Sequence, residues 1–281
     1  MEKHSGDPVA AGSIGRRQTL RRLWVLVVIG SASCGGGGGG PAPAPPTAPT
    51  PNPTPPAPTP PSPPSPGAPA LGAHNLVYNR DGVSVDPLST QSMATQASGS
   101  TLLVCVGRGV ISSHRLPTDN KGNPFVQQGA AHAYTNWSTS GTALYACVAA
   151  SGGAGHVVTV AKPVPADETT ASVVEVVGGG VVRDLQWREV LRGSPITTPS
   201  VTTRGPALIV AWWWGDAGVD SDKTAVADNG FTVIDGILLQ GALVQCAVAV
   251  RAVSAAGSYS TTWTATPAQG AQLWIAAVEA A

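Results

Sequence analysis

The pattern of apolar and polar positions changes character along the chain. Residues 23–29, Leu-Trp-Val-Leu-Val-Val-Ile, form one unbroken apolar run. Residues 41–70 hold no charge and no aromatic, and 16 of those 30 positions are proline. From residue 71 onward the apolar positions gather into short runs of β-branched and aromatic residues, bounded by Gly, Pro, Asn and Asp. Such runs read as strands. They fall at 75–78, 100–106, 125–128, 143–149, 156–161, 172–177, 206–214, 231–234, 242–252, 259–266 and 272–278. An apolar period of 3.6 residues, the mark of an amphipathic helix, is largely missing. These short strands predict an all-β fold, a β-sandwich or jelly roll. The stretch 183–191 is expected to be helical or irregular, as a connector between two halves.

Those halves, about 92–180 and 196–281, look alike. Ser98-Gly-Ser-Thr-Leu-Leu-Val parallels Arg204-Gly-Pro-Ala-Leu-Ile-Val, and Ala143-Leu-Tyr-Ala-Cys parallels Leu243-Val-Gln-Cys. His156-Val-Val-Thr-Val parallels Tyr259-Ser-Thr-Thr-Trp, and Val174-Glu175 parallels Val278-Glu279. The offset stays near 100 to 109 residues. This is a two-fold repetition, too coarse for a solenoid. It predicts two similar sets of strands, each burying a face against the other.

Residues 1–33 run basic, apolar, then small, the order of a secretory signal peptide. The apolar run is far short of the roughly 20 residues that a spanning helix needs. Arg16-Arg17-Gln18-Thr19-Leu20-Arg21 resembles a twin-arginine signal, with Thr19 where Phe is usual. The alternative is a strong basic leader for the general export route. Ser31-Ala32-Ser33-Cys34 resembles a bacterial lipobox, with Ser31 where Leu is usual. Ordinary cleavage around Ser33 is the alternative there. A lipidated Cys34 would hold the protein to a membrane, at about 0.8 kcal/mol per buried CH2. Gly35 stands where an Asp would retain a lipoprotein at the inner membrane, so the resemblance implies the outer membrane. Residues 34–70 then form a lipidated Cys, a glycine run and a proline-rich disordered linker. Proline favours extended polyproline II, so thirty residues reach on the order of 90 Å.

Residues 71–281 suffice for one large β domain or two small ones. The leader holds five of the 16 Lys and Arg and two of the 16 Asp and Glu, which leaves about three net negative charges on the remainder. No basic patch stands out, which argues against nucleic-acid binding. Cys105, Cys147 and Cys246 sit in strand-like apolar runs and read as buried free thiols, a Cys105–Cys147 bridge being the alternative. No CxxC spacing suggests zinc.

Candidate chemistry concentrates after residue 211. In Trp212-Trp213-Trp214 alternate side chains take opposite faces of a strand. An exposed indole there would stack on a sugar. Asp216, Asp220 and Asp222 follow in one short loop and offer clustered oxygens to Ca2+, without the closing Glu of an EF-hand. Trp187 is the candidate in the connector, beside Arg183, Arg188 and Glu189, to line a groove between the halves. Glu175 and Glu279 occupy equivalent repeat positions. They would suit glycoside hydrolysis as a pair, or serve as structural acceptors for neighbouring turns. The turn at 119–123 has Asx and Gly chemistry.

The Gly-x-x-Leu-Leu-Val strand at 99–104, the Asp-x-x-Gly-Asn turn at 119–123, the Tyr-containing strand at 143–147 and the strand ending Val-Glu at 173–175 give the chain its likeness. It resembles bacterial cell-surface β-sandwich modules of unassigned function. That resemblance implies fold and an exterior location, and it carries over no catalytic residue. The expectation is a membrane-anchored surface lipoprotein without enzymatic activity, displaying a binding or adhesion module. Its partner would be a glycan or a surface protein. The alternatives are a structural envelope or appendage component and a hydrolase acting on polysaccharide or peptidoglycan.

Overall fold

The structure, a computed structural model, describes residues 67–80, 86–164, 167–215 and 217–280. The leader, Cys34 and the proline-rich stretch up to residue 66 lie outside the described residues. In chain order the strands are β1 (Ala70–Asn79), β2 (Leu88–Ser89), β3 (Ser98–Arg108), β4 (Thr118–Asp119), β5 (Val126–Ala133), β6 (Gly141–Ser151), β7 (Val158–Val160), β8 (Thr169–Val177) and β9 (Val181–Gly193). They continue as β10 (Ile196–Thr197), β11 (Val201–Thr203), β12 (Ala207–Gly215), β13 (Val226–Ala227), β14 (Thr232–Ile237), β15 (Cys246–Val253), β16 (Gly257–Tyr259), β17 (Thr262–Thr264) and β18 (Gln269–Glu279). One short 3-10 turn, Ile111–Ser113, interrupts them, and no α-helix occurs among the described residues.

Two five-stranded antiparallel sheets dominate. Their orders are β1-β8-β3-β6-β5 and β9-β18-β12-β15-β14, the same order built twice. The duplication read from the sequence is therefore a duplication of topology. The sequence match set Leu103 beside Ile209, whereas the ladder sets it beside Leu208. Leu103 pairs with Val174 and Leu208 with Val278, and all four enter the same core. One residue of offset matters because it moves every side chain to the other face. Irregular registers near the start of β3, between Ser98 and Leu102, disguise that slip in sequence.

Three apolar layers follow. Leu103, Cys105, Leu144 and Val174 of the first sheet meet Leu208, Val210, Trp212, Trp214 and Trp274 of the second. The outer face of the first sheet, with Leu102, Val104 and Val106, is roofed by Leu88 of β2 and Val158 and Val160 of β7. The outer face of the second, with Ile209, Ala211 and Trp213, is roofed by Ile196 of β10 and Trp263 of β17. The central strands are thus apolar on both sides. That is why β3 and β12 read as continuous apolar runs with no alternation.

The connector expectation is corrected. Residues 181–193 form β9, a 13-residue strand paired along its length with β18. It is an edge strand, so solvent on one side tolerates Arg183, Arg188 and Arg192, and those charges masked it. The thiols are free and buried. A Cys105–Cys147 bridge is excluded by register. Cys147 lies opposite Leu102 and Cys105 opposite Leu144, so the two thiols point to opposite faces of one sheet.

Candidate functional site

The residues singled out in the sequence do not converge on one site. Trp212, Trp213 and Trp214 are each 0 % exposed. Trp212 and Trp214 enter the layer between the sheets and Trp213 the outer layer, so the expectation of a sugar stacked on Trp212 or Trp214 is corrected. Trp212 donates its Nε1 proton to Ser172 Oγ at 3.0 Å across the sandwich. Trp187 is half-buried and packs against the same layer. One face of it lies on the His132 ring, with centroids 3.7 Å apart and planes 8° from parallel. It closes the seam between β5 and β9 and offers no open platform.

Asp216 lies outside the described residues. Asp220 is exposed and pairs with Lys223 at 3.5 Å, and Asp222 accepts from the Gln240 amide at 2.7 Å. Among the described residues no three His, Cys, Asp or Glu side chains gather as a metal set. Glu175 accepts the amides of Ala73 at 2.9 Å and Gln96 at 2.7 Å, and Glu279 accepts the amide of Arg204 at 2.7 Å. Both hold the segments that lead into their sheets, which is a structural use of the carboxylate. Asp119 organises its turn in the same way, accepting the amides of Lys121 and Asn123, each at 3.0 Å, and contacting buried His156 at 2.9 Å.

A concave site forms elsewhere, where β3 and β12 end and β6, β8 and β15 begin. There a cavity of about 600 Å3 opens between the two sheets. Its wall is mostly apolar, with Val110, Trp137, Val164, Leu243 and Val244. Trp137 is 54 % exposed, Leu243 46 % and Val164 41 %. Three large apolar side chains left open around one hollow make a contiguous apolar patch of the kind that marks a binding surface.

Polar groups brace this end from beneath. Glu168 accepts the amides of Leu243 at 2.5 Å and Val244 at 2.7 Å, so the first sheet holds the loop before β15. Gln272, at the equivalent register of the second sheet, reaches back to Thr142 and to the His132 carbonyl. Arg108 is wholly buried, with Nη1 3.2 Å from Ser113 Oγ and 3.7 Å from Asp167 Oδ2, and it donates to the Ala161 carbonyl. Burial pushes the Asp167 carboxyl above its ordinary range, against the pull of Arg108 and Ser113. Burial likewise depresses Arg108. Ser140 Oγ donates to the Arg108 carbonyl at 2.9 Å and fixes the loop that carries Trp137.

Sequence reasoning missed Trp137, Val164 and Leu243. The available signal was an indole in the otherwise polar stretch 135–141, where a strand core cannot use it. Nothing in the sequence joined that loop to residue 243, which lies in the other half. Compared with protein-family models, with curated proteins and with solved structures, the chain finds no match.

Proposed function

We propose that this protein is a membrane-tethered surface lipoprotein whose sandwich binds an extracellular glycan in the cavity walled by Trp137. The observation that carries the reading is the position of that cavity. β1 starts at Ala70, opposite Val177, and ends at Asn79, opposite Thr169. The cavity borders the Thr169 end, so the chain joins the sandwich at the pole away from it. A module held through its amino-terminal side would present this hollow outward.

The chemistry suits a sugar with an apolar face. Trp137 supplies a stacking surface at the cavity mouth, and Thr139 and Ser140 line the same hollow. A volume of about 600 Å3 lies within the roughly 300–1,000 Å3 of small-molecule pockets. Glu168 is committed to the backbone amides of Leu243 and Val244, which argues for binding rather than hydrolysis. Two experiments test the two parts. Clickable palmitate should label the full chain in the envelope fraction, and Cys34→Ser should abolish the label. A glycan array probed with the protein should give discrete hits; an array without hits would remove the glycan reading.

A second reading has one observation behind it. β5 is a sheet edge whose sequence, Val-Gln-Gln-Gly-Ala-Ala-His-Ala, carries no acidic or basic side chain except His132, and Val126 is 61 % exposed. Such an edge can accept a strand from another chain, as an envelope or appendage component would. Mass that rises with concentration would favour it.

A further inference from the structure

One buried polar contact, between the end of β1 and the segment after β7, joins two residues that can react with each other. Lys162 is 0 % exposed and Asn79 only 7 %. The Lys162 Nζ donates to Asn79 Oδ1, which places the amine at the amide group of the asparagine. Asn79 is fixed by a ladder and Lys162 by the segment that follows one. Asn79 ends β1 and pairs with Thr169. Lys162 follows β7, whose Val160 pairs with Leu88 of β2, and its own amide donates to Asp86 Oδ1 at 2.7 Å. Next to it, Ala161 has its carbonyl held by the buried guanidinium of Arg108.

We propose that Lys162 and Asn79 form an intramolecular isopeptide bond. The unprotonated amine attacks the side-chain carbonyl carbon of Asn79, and the Nζ–Cγ bond forms. The Cγ–Nδ2 bond breaks, one Nζ proton passes to the departing nitrogen, and ammonia leaves. No oxidant, reductant or cofactor enters the balance. The reaction needs an amine shielded from bulk water beside the amide, and Lys162 is 0 % exposed. It needs the two groups held together, and close, fixed partners raise effective concentration by many orders of magnitude. It also needs a proton carrier. Asp167 is a buried carboxyl within electrostatic reach of Lys162.

The bond has a mechanical consequence. β1 is an edge strand, attached to the sheet only through β8. It is also the strand through which the amino-terminal segment reaches the sandwich. A link from Asn79 to Lys162 ties its far end to the segment between β7 and β8, so the strand cannot be stripped away from that end.

Mass spectrometry of the full chain decides the matter. After denaturation and proteolysis, the wild-type protein is expected to yield one branched peptide containing both Asn79 and Lys162, lighter than the two separate peptides by one ammonia. Lys162→Arg should give separate peptides with no mass deficit. Asp167→Asn should lower the branched fraction in a chain whose circular dichroism stays all-β. Separate, unmodified Asn79 and Lys162 peptides from the wild-type protein would overturn the proposal. So would a deficit of one ammonia confined to the Asn79 peptide, which marks a succinimide. Neither result depends on whether a variant folds, and neither bears on the cavity.

Discussion

Gly107 of β3 faces Trp214 of β12 across the sandwich, and a Cβ built on Gly107 would lie 2.6 Å from the indole ring. Gly107 occupies the register of Trp212 in the other sheet, so the duplication is asymmetric here: one half supplies bulk and the other supplies room. Replacing Gly107 by Ala overpacks a layer that cannot yield cheaply. The expected loss is about 1–3 kcal/mol. Chemical denaturation should show a lower midpoint with an unchanged slope. A midpoint equal to wild type would mean that the two sheets are not held at this spacing.

The opposite change tests the same contact. Trp214→Ala removes a side chain with no exposure and leaves a void between the sheets. Truncating a large buried aromatic costs about 3–5 kcal/mol. Thermal melting should therefore show a large drop. An exposed Trp would cost less than about 0.5 kcal/mol, so a small effect would restore the idea that Trp214 faces solvent.

Acid should destabilise the fold by a defined route. Burial, reinforced by the Arg108 charge, lowers His114 to about 4, from an ordinary 6.5. Between those values the unfolded chain binds more protons than the folded one, so stability rises with pH and is lost as pH falls from about 6.5 through about 4. Burial lowers His132 in the same direction. Asp119 acts below that window. Burial raises it, but bonds from Asn123, His156 and the Lys121 amide leave it depressed, so its contribution disappears as pH falls through its folded value. Asp167 and Asp235 are raised by burial and act in the opposite sense near the acidic end. Replacing His114 by Phe should flatten the fall in urea stability between pH 6.5 and 4. An unchanged slope would show that His114 is not held neutral.

Burial pushes the Cys105, Cys147 and Cys246 thiols above their ordinary range. A thiolate is the reactive species, so iodoacetamide should leave all three unmodified in the native protein. In denaturant, without reductant, all three should label. A lipid on Cys34 would keep that fourth thiol silent, whereas a chain retaining a free Cys34 would add one label. Fewer than three labels in denaturant would indicate a disulfide and contradict three free buried thiols.

Much of the fold was legible because its chemistry is local. Turn residues and β-branched runs marked the central strands, and repeated fragments such as Val174-Glu175 and Val278-Glu279 exposed the duplication. β9 was not legible, since an edge strand with three arginines reads like a solvated connector. The tryptophan run was misleading as a site because both faces of β12 are covered, one by the first sheet and one by the β10–β17 roof. Roofing of that kind depends on residues up to fifty positions away, such as Trp263, beyond any local pattern. The cavity and the Lys162–Asn79 contact were invisible for the same reason: each is assembled from segments that only the ladders bring together.

The proposed ligand site in the Trp137 cavity is the central claim, and retention of envelope polysaccharide by purified protein tests it most directly. Wild type and Trp137→Ala should be compared in the same pull-down, after melting curves show them equally stable. Trp137 is largely exposed, so its removal should shift stability by less than about 0.5 kcal/mol. Retention should weaken about tenfold or more, equivalent to roughly 1.4 kcal/mol of binding. Equal retention by the two proteins would contradict a ligand seated against Trp137.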